Sequence, residues 1–337
     1  MNLSGPRAGA MRRPVRRAAA LGTALALTAS AASDALASAK TSAKAPRNIT
    51  LDVGYIGTTG VFSGPEGFAY SRGLLQRWLK PAGVTSIQTA QFANGPLMTA
   101  AIVGGSVNLG IVGDTPGLIA RAQGTTDRLI NQDSLNVVAW IVARPGITSL
   151  TDLVGKTVAV QPSSYMDRYL LGLLAQDNLT GKVTRVPMLL TAAIPALEAG
   201  SIDAVALPPS EATPLLAQGY EVVAKSETTP KLQGTTVTVA ANSLLASDPG
   251  IAKAWNAARD KAIAYAKAHA GAYYAYEATT QTGATVAAMK QYWPLVDYPV
   301  AAFTKAGIAR LQSTLDFLVS ESDATSFSLQ SWEYASK

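Results

Sequence analysis

Short apolar runs of strand length alternate with helix-spaced segments from Ile49 to Ala240, and this alternation leaves few folds open. The runs lie at 49–56, 86–91, 107–112, 137–142, 157–160, 182–187, 203–207, 220–224 and 235–240. Between them, Ser63-Gly64-Pro65 opens a helical spacing that continues through Tyr70, Leu74 and Trp78. Met98 to Ile102 gives another, stopped by Gly104-Gly105, and residues 117–122, 165–174 and 194–197 give three more. Strands alternating with helices predict parallel α/β sheets. Val158-Ala159-Val160 and Ala204-Val205-Ala206-Leu207 are continuously apolar, as strands covered on both faces tend to be. From Ala252 the pattern turns helical, with Ala254, Ala257, Ala258, Ala262, Tyr265 and Ala266 on one stripe. Two crossings between lobes are read, near Ala143-Arg144 and at 229–234. They predict a discontinuous lobe I (48–142 and 234–337) and a lobe II (143–233).

The amino-terminal segment belongs to a different problem. Arg12, Arg13, Arg16 and Arg17 precede an apolar run at 18–27, and Ala35-Leu36-Ala37 offers small residues for cleavage. This predicts a secretory signal peptide over 1–37 and a flexible segment over 38–47. The apolar run is far shorter than the roughly 20 residues that span a bilayer. The arginine pair at 16–17 fits either an ordinary basic region or an address for export of folded protein. Without residues 1–37, 23 basic and 21 acidic side chains remain of the 28 and 22 in the whole chain, a net of about +2. No basic stripe is left to argue for nucleic acid. The chain has no cysteine and one histidine, His269, so disulfides, a lipid-modified cysteine and a zinc site of the usual kind are not expected.

In open α/β sheets, ligands bind beyond the carboxyl ends of the strands. Three loops there carry donors: Thr58 and Thr59, Asp114 and Thr115, and Ser163 and Ser164 with Tyr165 beside them. The last two precede helices, whose amino termini present free N–H groups and a positive dipole end suited to a carboxylate, sulfonate or phosphate. The same residue types are ordinary helix caps, so Asp114 reads either as a brace or as a ligand contact. Tyr55 reads as strand packing or cleft lining, Trp140 as core or hinge packing, and Arg168 as a counter-charge or an ion-pair partner. Nothing catalytic stands out. There is no cysteine, no histidine cluster and no paired-carboxylate motif, and no base lies near Ser163 or Ser164. Binding without a covalent step or a cofactor is expected.

Several stretches, in this order, resemble one family: Phe92-Ala93-Asn94-Gly95-Pro96, then Gly104-Gly105-Ser106-Val107-Asn108-Leu109-Gly110, then Gly113-Asp114-Thr115-Pro116. The run from Ile147 through Thr151-Asp152-Leu153-Val154-Gly155-Lys156 to Val160, and Leu197-Glu198-Ala199-Gly200-Ser201-Ile202-Asp203-Ala204, complete it. Together they resemble the periplasmic solute-binding proteins of aliphatic sulfonate, taurine and nitrate ABC importers, a family that extends to thiamine-precursor binders. The resemblance implies an α/β, two-lobed periplasmic-binding-protein fold (type 2), with a ligand cleft between the lobes and extra C-terminal helices. It also implies an exported, non-enzymatic monomer that hands a small organic anion, foremost an alkanesulfonate, to a membrane permease and its ATPase. Nitrate, a thiamine precursor, a carboxylate, or a sensory or enzymatic role on the same fold are the alternatives. Ligand contacts implied are Thr58-Thr59, Asp114-Thr115, Ser163-Ser164 and the turn at Pro208. Two departures stand out: Pro162-Ser163-Ser164 replaces a Gly-Ser pair, and Leu207-Pro208-Pro209-Ser210-Glu211 replaces a Trp-Asp-Pro turn. The second removes an aromatic wall and returns an acid at Glu211, facing an amino group or solvent. The glycine-rich stretch 61–71 also looks longer than usual, with Phe62 and Phe68 touching the solute or anchoring the loop.

Overall fold

The computed structural model describes residues 48–334. The signal peptide and flexible segment read from the sequence lie outside them. Ten strands run through the described residues: β1 (Ile49–Ile56), β2 (Val84–Phe92), β3 (Leu109–Gly113), β4 (Arg128–Val137), β5 (Trp140–Ala143), β6 (Thr157–Val160), β7 (Thr184–Pro187), β8 (Ala204–Leu207), β9 (Glu221–Lys225) and β10 (Gly234–Ala240). They form two five-stranded sheets, ordered β2-β1-β3-β10-β4 and β7-β6-β8-β5-β9.

The strands form where the pattern demands burial. In β1, Leu51 and Val53 are buried while Thr50 is exposed, and all four residues of β8 are buried. The second sheet's core gathers Val158, Val205, Leu170 and Leu197. The first sheet is covered on both sides. One side packs Leu51, Leu75 and Trp255; the other packs Met98, Val112, Leu311 and Trp332. Burying a tryptophan removes about 150–250 Å² from water, on the order of 4–6 kcal/mol as an upper bound. Trp255 and Trp332 therefore anchor opposite faces of that sheet. Both belong to the C-terminal region, where Ile251–Ala268 and Lys305–Ser320 are the long helices. On Ile251–Ala268 the buried stripe is Ile251, Trp255, Ala258, Arg259, Ala262, Ile263 and Ala266, whereas Ala257 is exposed.

The sheets are mixed, not parallel as the alternation predicted. β10 runs antiparallel to β3 and β4, and β5 runs antiparallel to β8 and β9. Each is the first strand after the chain has passed from one sheet to the other. The parallel strands end at the side facing the partner sheet, so a strand entering from that side must run the opposite way. The first passage lies at 138–139, earlier than the crossing read near Ala143. The run at 137–142 is thus the end of one strand and the start of another. β4 escaped the sequence reading because Asn131-Gln132-Asp133-Ser134 is polar yet buried. The second passage, at 226–233, contains two short 3-10 turns. The two passages are tied together: the Ala139 N–H donates to Ser226 Oγ at 3.0 Å, and the Ser226 N–H donates to the Ala139 carbonyl at 3.0 Å.

The helix expected from Ser63 to Trp78 is two helices, Gly64–Ser71 and Leu74–Leu79, broken at Gly73, whose φ is 68°. No helix among the described residues is long and apolar enough to cross a membrane.

Candidate functional site

The carboxyl ends of β1, β2 and β3 from one sheet, and of β6 and β8 from the other, border one cavity of about 260 Å³. β1 supplies Tyr55 and, just beyond it, Thr58; Gln91 comes from the end of β2. After β6 come Gln161, Ser164 and Tyr165, and after β8 come Pro208 and Glu211. The C-terminal region closes the far side with Glu277, Gln281, Trp293 and Tyr298. At the mouth, the Ser210 hydroxyl donates to the Gln281 side chain. A methyl on Gly283 would stand 3.0 Å from the Pro214 ring, so the C-terminal region is in contact with the helix Pro209–Leu216.

Six of the ten residues expected to bind ligand line this cavity: Tyr55, Thr58, Ser164, Tyr165, Pro208 and Glu211. Tyr55 is also packed, its ring 5.2 Å from that of Phe62, which lines the cavity too. Ser164 caps the helix Tyr165–Gln176 by accepting from the Asp167 N–H at 3.1 Å. Its single hydroxyl proton goes to the Gln161 carbonyl at 2.6 Å. Thr59, Asp114, Thr115 and Ser163 are not among the lining residues. Thr59 is exposed. Ser163 adopts a left-handed φ of 56° and donates its N–H to Asp167 at 3.0 Å.

Asp114 is 0% exposed and fully engaged. It accepts from the Thr115 N–H and hydroxyl, from the Thr235 N–H and hydroxyl, and from the Thr314 hydroxyl. Arg168 stands 3.8 Å away and donates to the carbonyls of Leu232 and Gln233 in the second passage. Trp140 is a packing residue: its Nε1–H donates to Glu227, and Lys225 sits 4.4 Å over its ring. Phe68 is buried against Tyr265, Tyr273 and Tyr276 and so anchors its segment.

Two acids are among the lining residues missed in the sequence. Asp133 on β4 and Glu277 at the end of the helix Ala270–Glu277 reach the cavity, and Glu66 lies behind them. Glu277 accepts from the Gly64 N–H at 2.9 Å, across 213 residues of sequence. Asp133 accepts from the Thr236 hydroxyl at 2.8 Å. Arg259 is 1% exposed. It stands 3.1 Å from Glu66 and 3.8 Å from Asp133 and donates to the carbonyls of Pro299 and Asp133. Burial lifts the Glu66 carboxyl to about 8, with the neighbouring Asp133 adding to the rise and Arg259 opposing it. Glu277 is likewise lifted to about 8, first by burial and then by the charges of Glu66 and Asp133, against the pull of the Gly64 N–H. Asp133 is raised by burial, and Glu211 is raised to about 7 by burial alone. The Tyr165 hydroxyl is pushed up by burial and then by the charges of Glu211 and Asp114. Among the described residues, no group of three or more His, Cys, Asp or Glu is placed to hold a metal ion.

A family model described as NMT1/THI5 like matches residues 78–272. No curated protein matches the chain. Among solved structures, the chain is similar to the periplasmic aliphatic sulphonate binding protein SsuA from Escherichia coli at 22% identity and a TM-score of 0.68, over 85% of this chain and 97% of that one. It is similar to the alkanesulfonate-binding protein SsuA from Xanthomonas axonopodis pv. citri, bound to MOPS, at 20% identity and a TM-score of 0.70, over 83% and 96%. A cysteine-to-serine mutant of DszB in complex with biphenyl-2-sulfinic acid follows at 19% identity and a TM-score of 0.64, over 84% and 96%. These likenesses establish a two-domain α/β architecture of the type 2 periplasmic-binding kind, with mixed sheets and added C-terminal helices.

Proposed function

The chain belongs to the NMT1/THI5-like family, and on that premise we propose that it is the extracytoplasmic solute-binding component of an ABC importer. The observation that carries this reading is the cavity walled by strand ends from both sheets. A solute trapped there is released only when the sheets part, and their parting is the signal a permease and its ATPase can read. The two lobes follow the sheets, with passages at 138–139 and 226–233 as the hinge. Export by the amino-terminal leader places the chain outside the cytoplasm. The solute class suggested by the two SsuA structures is a small sulfonate. Thr58, Gln91, Tyr165 and Gln281 are the polar groups proposed to meet it.

The test uses protein purified without unfolding. Native mass spectrometry should find one small molecule bound, and small-angle scattering should show expansion once that molecule is stripped by unfolding and refolding. A radius of gyration indifferent to the bound molecule would remove the capture mechanism.

Desulfurization on the same fold is the enzymatic rival, since DszB shares the architecture. This chain has no cysteine, and the Ser164 hydroxyl is committed to Gln161 and to the Asp167 N–H. Release of sulfite from biphenyl-2-sulfinic acid by the purified protein would reverse this assignment.

A further inference from the structure

The cavity has an acidic lining that capture of a simple anion leaves without a purpose. Asp133, Glu211 and Glu277 line it, and among the described residues no lysine, arginine or histidine does. Glu211 is 8% exposed, and no side-chain hydrogen bond or ion pair reaches it among the described residues. Glu277 commits one oxygen to the Gly64 N–H, while Asp133 accepts from the Thr236 hydroxyl and is flanked on its other side by Glu66 and Arg259. Arg259 is shared between Glu66 and Asp133 and stands behind the cavity wall.

Some donors for an anion remain, at the amino termini of Tyr165–Gln176 and Leu190–Glu198 and at the unpartnered Trp293 Nε1–H, but four other helices bordering the cavity give fewer. Pro65, Pro96, Pro116 and Pro209 lie in the first turns of four helices whose amino termini border the cavity, and none of them has an N–H to give. The Ser164 proton is already spent.

We propose that the cavity is built for a solute carrying a protonated nitrogen, an ammonium or amidinium group, held between Glu211 from the second-sheet side and Asp133 with Glu277 from the first-sheet side. This rests on the capture reading and replaces the simple sulfonate suggested by the likeness to the SsuA structures. Without solute, burial favours protonated carboxyls, which is the direction seen at all three. A cation in their midst replaces those protons and repays the desolvation, whereas a bare sulfonate gains no charge partner there. Tyr55, Phe62, Trp293 and Tyr298 add aromatic faces, which attract cations and cover an apolar stem.

Three probes of one shape separate the possibilities: 2-phenylethylamine, 2-phenylethanol and 2-phenylethanesulfonate. They are titrated calorimetrically into stripped, refolded protein and into the Glu211→Gln variant, with thermal unfolding confirming that the variant folds. The amine should bind roughly tenfold or more tightly than the alcohol, the sulfonate should bind weakest, and E211Q should lose most of the amine's advantage. Equal affinities, a preference for the sulfonate, or an amine advantage that survives in E211Q overturns the proposal. Binding of none of the three also overturns it. Capture itself is judged separately, by the co-purified molecule and the scattering change, and stands if the sulfonate is preferred.

Discussion

Replacing Glu211 by glutamine should stabilise the solute-free protein at alkaline pH and leave it unchanged in acid. The carboxyl is buried without a partner, and burial alone raises it from its ordinary 4.5 to about 7. Between those values the folded protein holds a proton that the unfolded chain has released. Stability therefore falls as pH rises through that window, and the loss saturates above the upper value. Each unit of separation is worth about 1.4 kcal/mol, so the full loss attributable to Glu211 is about 3 kcal/mol. Glutamine keeps the shape and carries no charge. Urea denaturation of stripped wild type and E211Q, extrapolated linearly to water, should give equal stabilities at pH 4.5 and a gap of about 3 kcal/mol in favour of the variant at pH 8. Glu66 and Glu277 titrate with the same sign in both proteins and cancel in the difference. Parallel pH profiles for the two proteins would refute the reasoning, since they would mean Glu211 is solvated or paired when folded. A more stable protein that binds its amine less well is the expected signature of a group kept for function at a cost in stability.

Arg259→Met removes the cation facing Glu66 and Asp133 and should cost about 3–5 kcal/mol in urea denaturation at about pH 9, where Glu66, lifted to about 8, is charged; a loss under about 1 kcal/mol would mean the carboxyls do not depend on Arg259. Asp114→Asn puts an amide among donors that need an acceptor and should cost about 2–4 kcal/mol, while affinity for the best-bound probe stays within about twofold of wild type. A larger change in affinity would return Asp114 to the ligand. Gly67→Ala places a methyl 1.7 Å from the Phe62 carbonyl oxygen, so the segment carrying Phe62 must move. Calorimetry should show affinity reduced roughly tenfold and denaturation a loss of about 1–3 kcal/mol.

What the sequence disclosed and what it hid divide along a physical line. β1 and β6 have the limits their apolar patterns predict, because burial of one element against a sheet is written locally. Tyr165 was found by the strand-end rule, which needs only the order of elements, and Glu211 by comparison with the turn of the family it resembles. β4 was hidden because its buried polar residues are satisfied from far away: Gln132 by the Thr304 N–H, Ser134 by Thr236, and Asn131 by Asn256. Asp133 went with it. Glu277 was invisible for the same reason, its partner being the backbone of Gly64. Asp114 was legible as a capping residue type, but its five donors come from three separate segments, which no spacing reveals.

The reciprocal bonds between Ala139 and Ser226 bear on how such a molecule moves. Two independent tethers would let one half slide, tilt and twist against the other. Coupling them at one level forces both backbones to turn together, so the remaining freedom is close to a single rotation. A swing of that kind brings the same atoms face to face on every return, so each new guest is met by the same arrangement of groups.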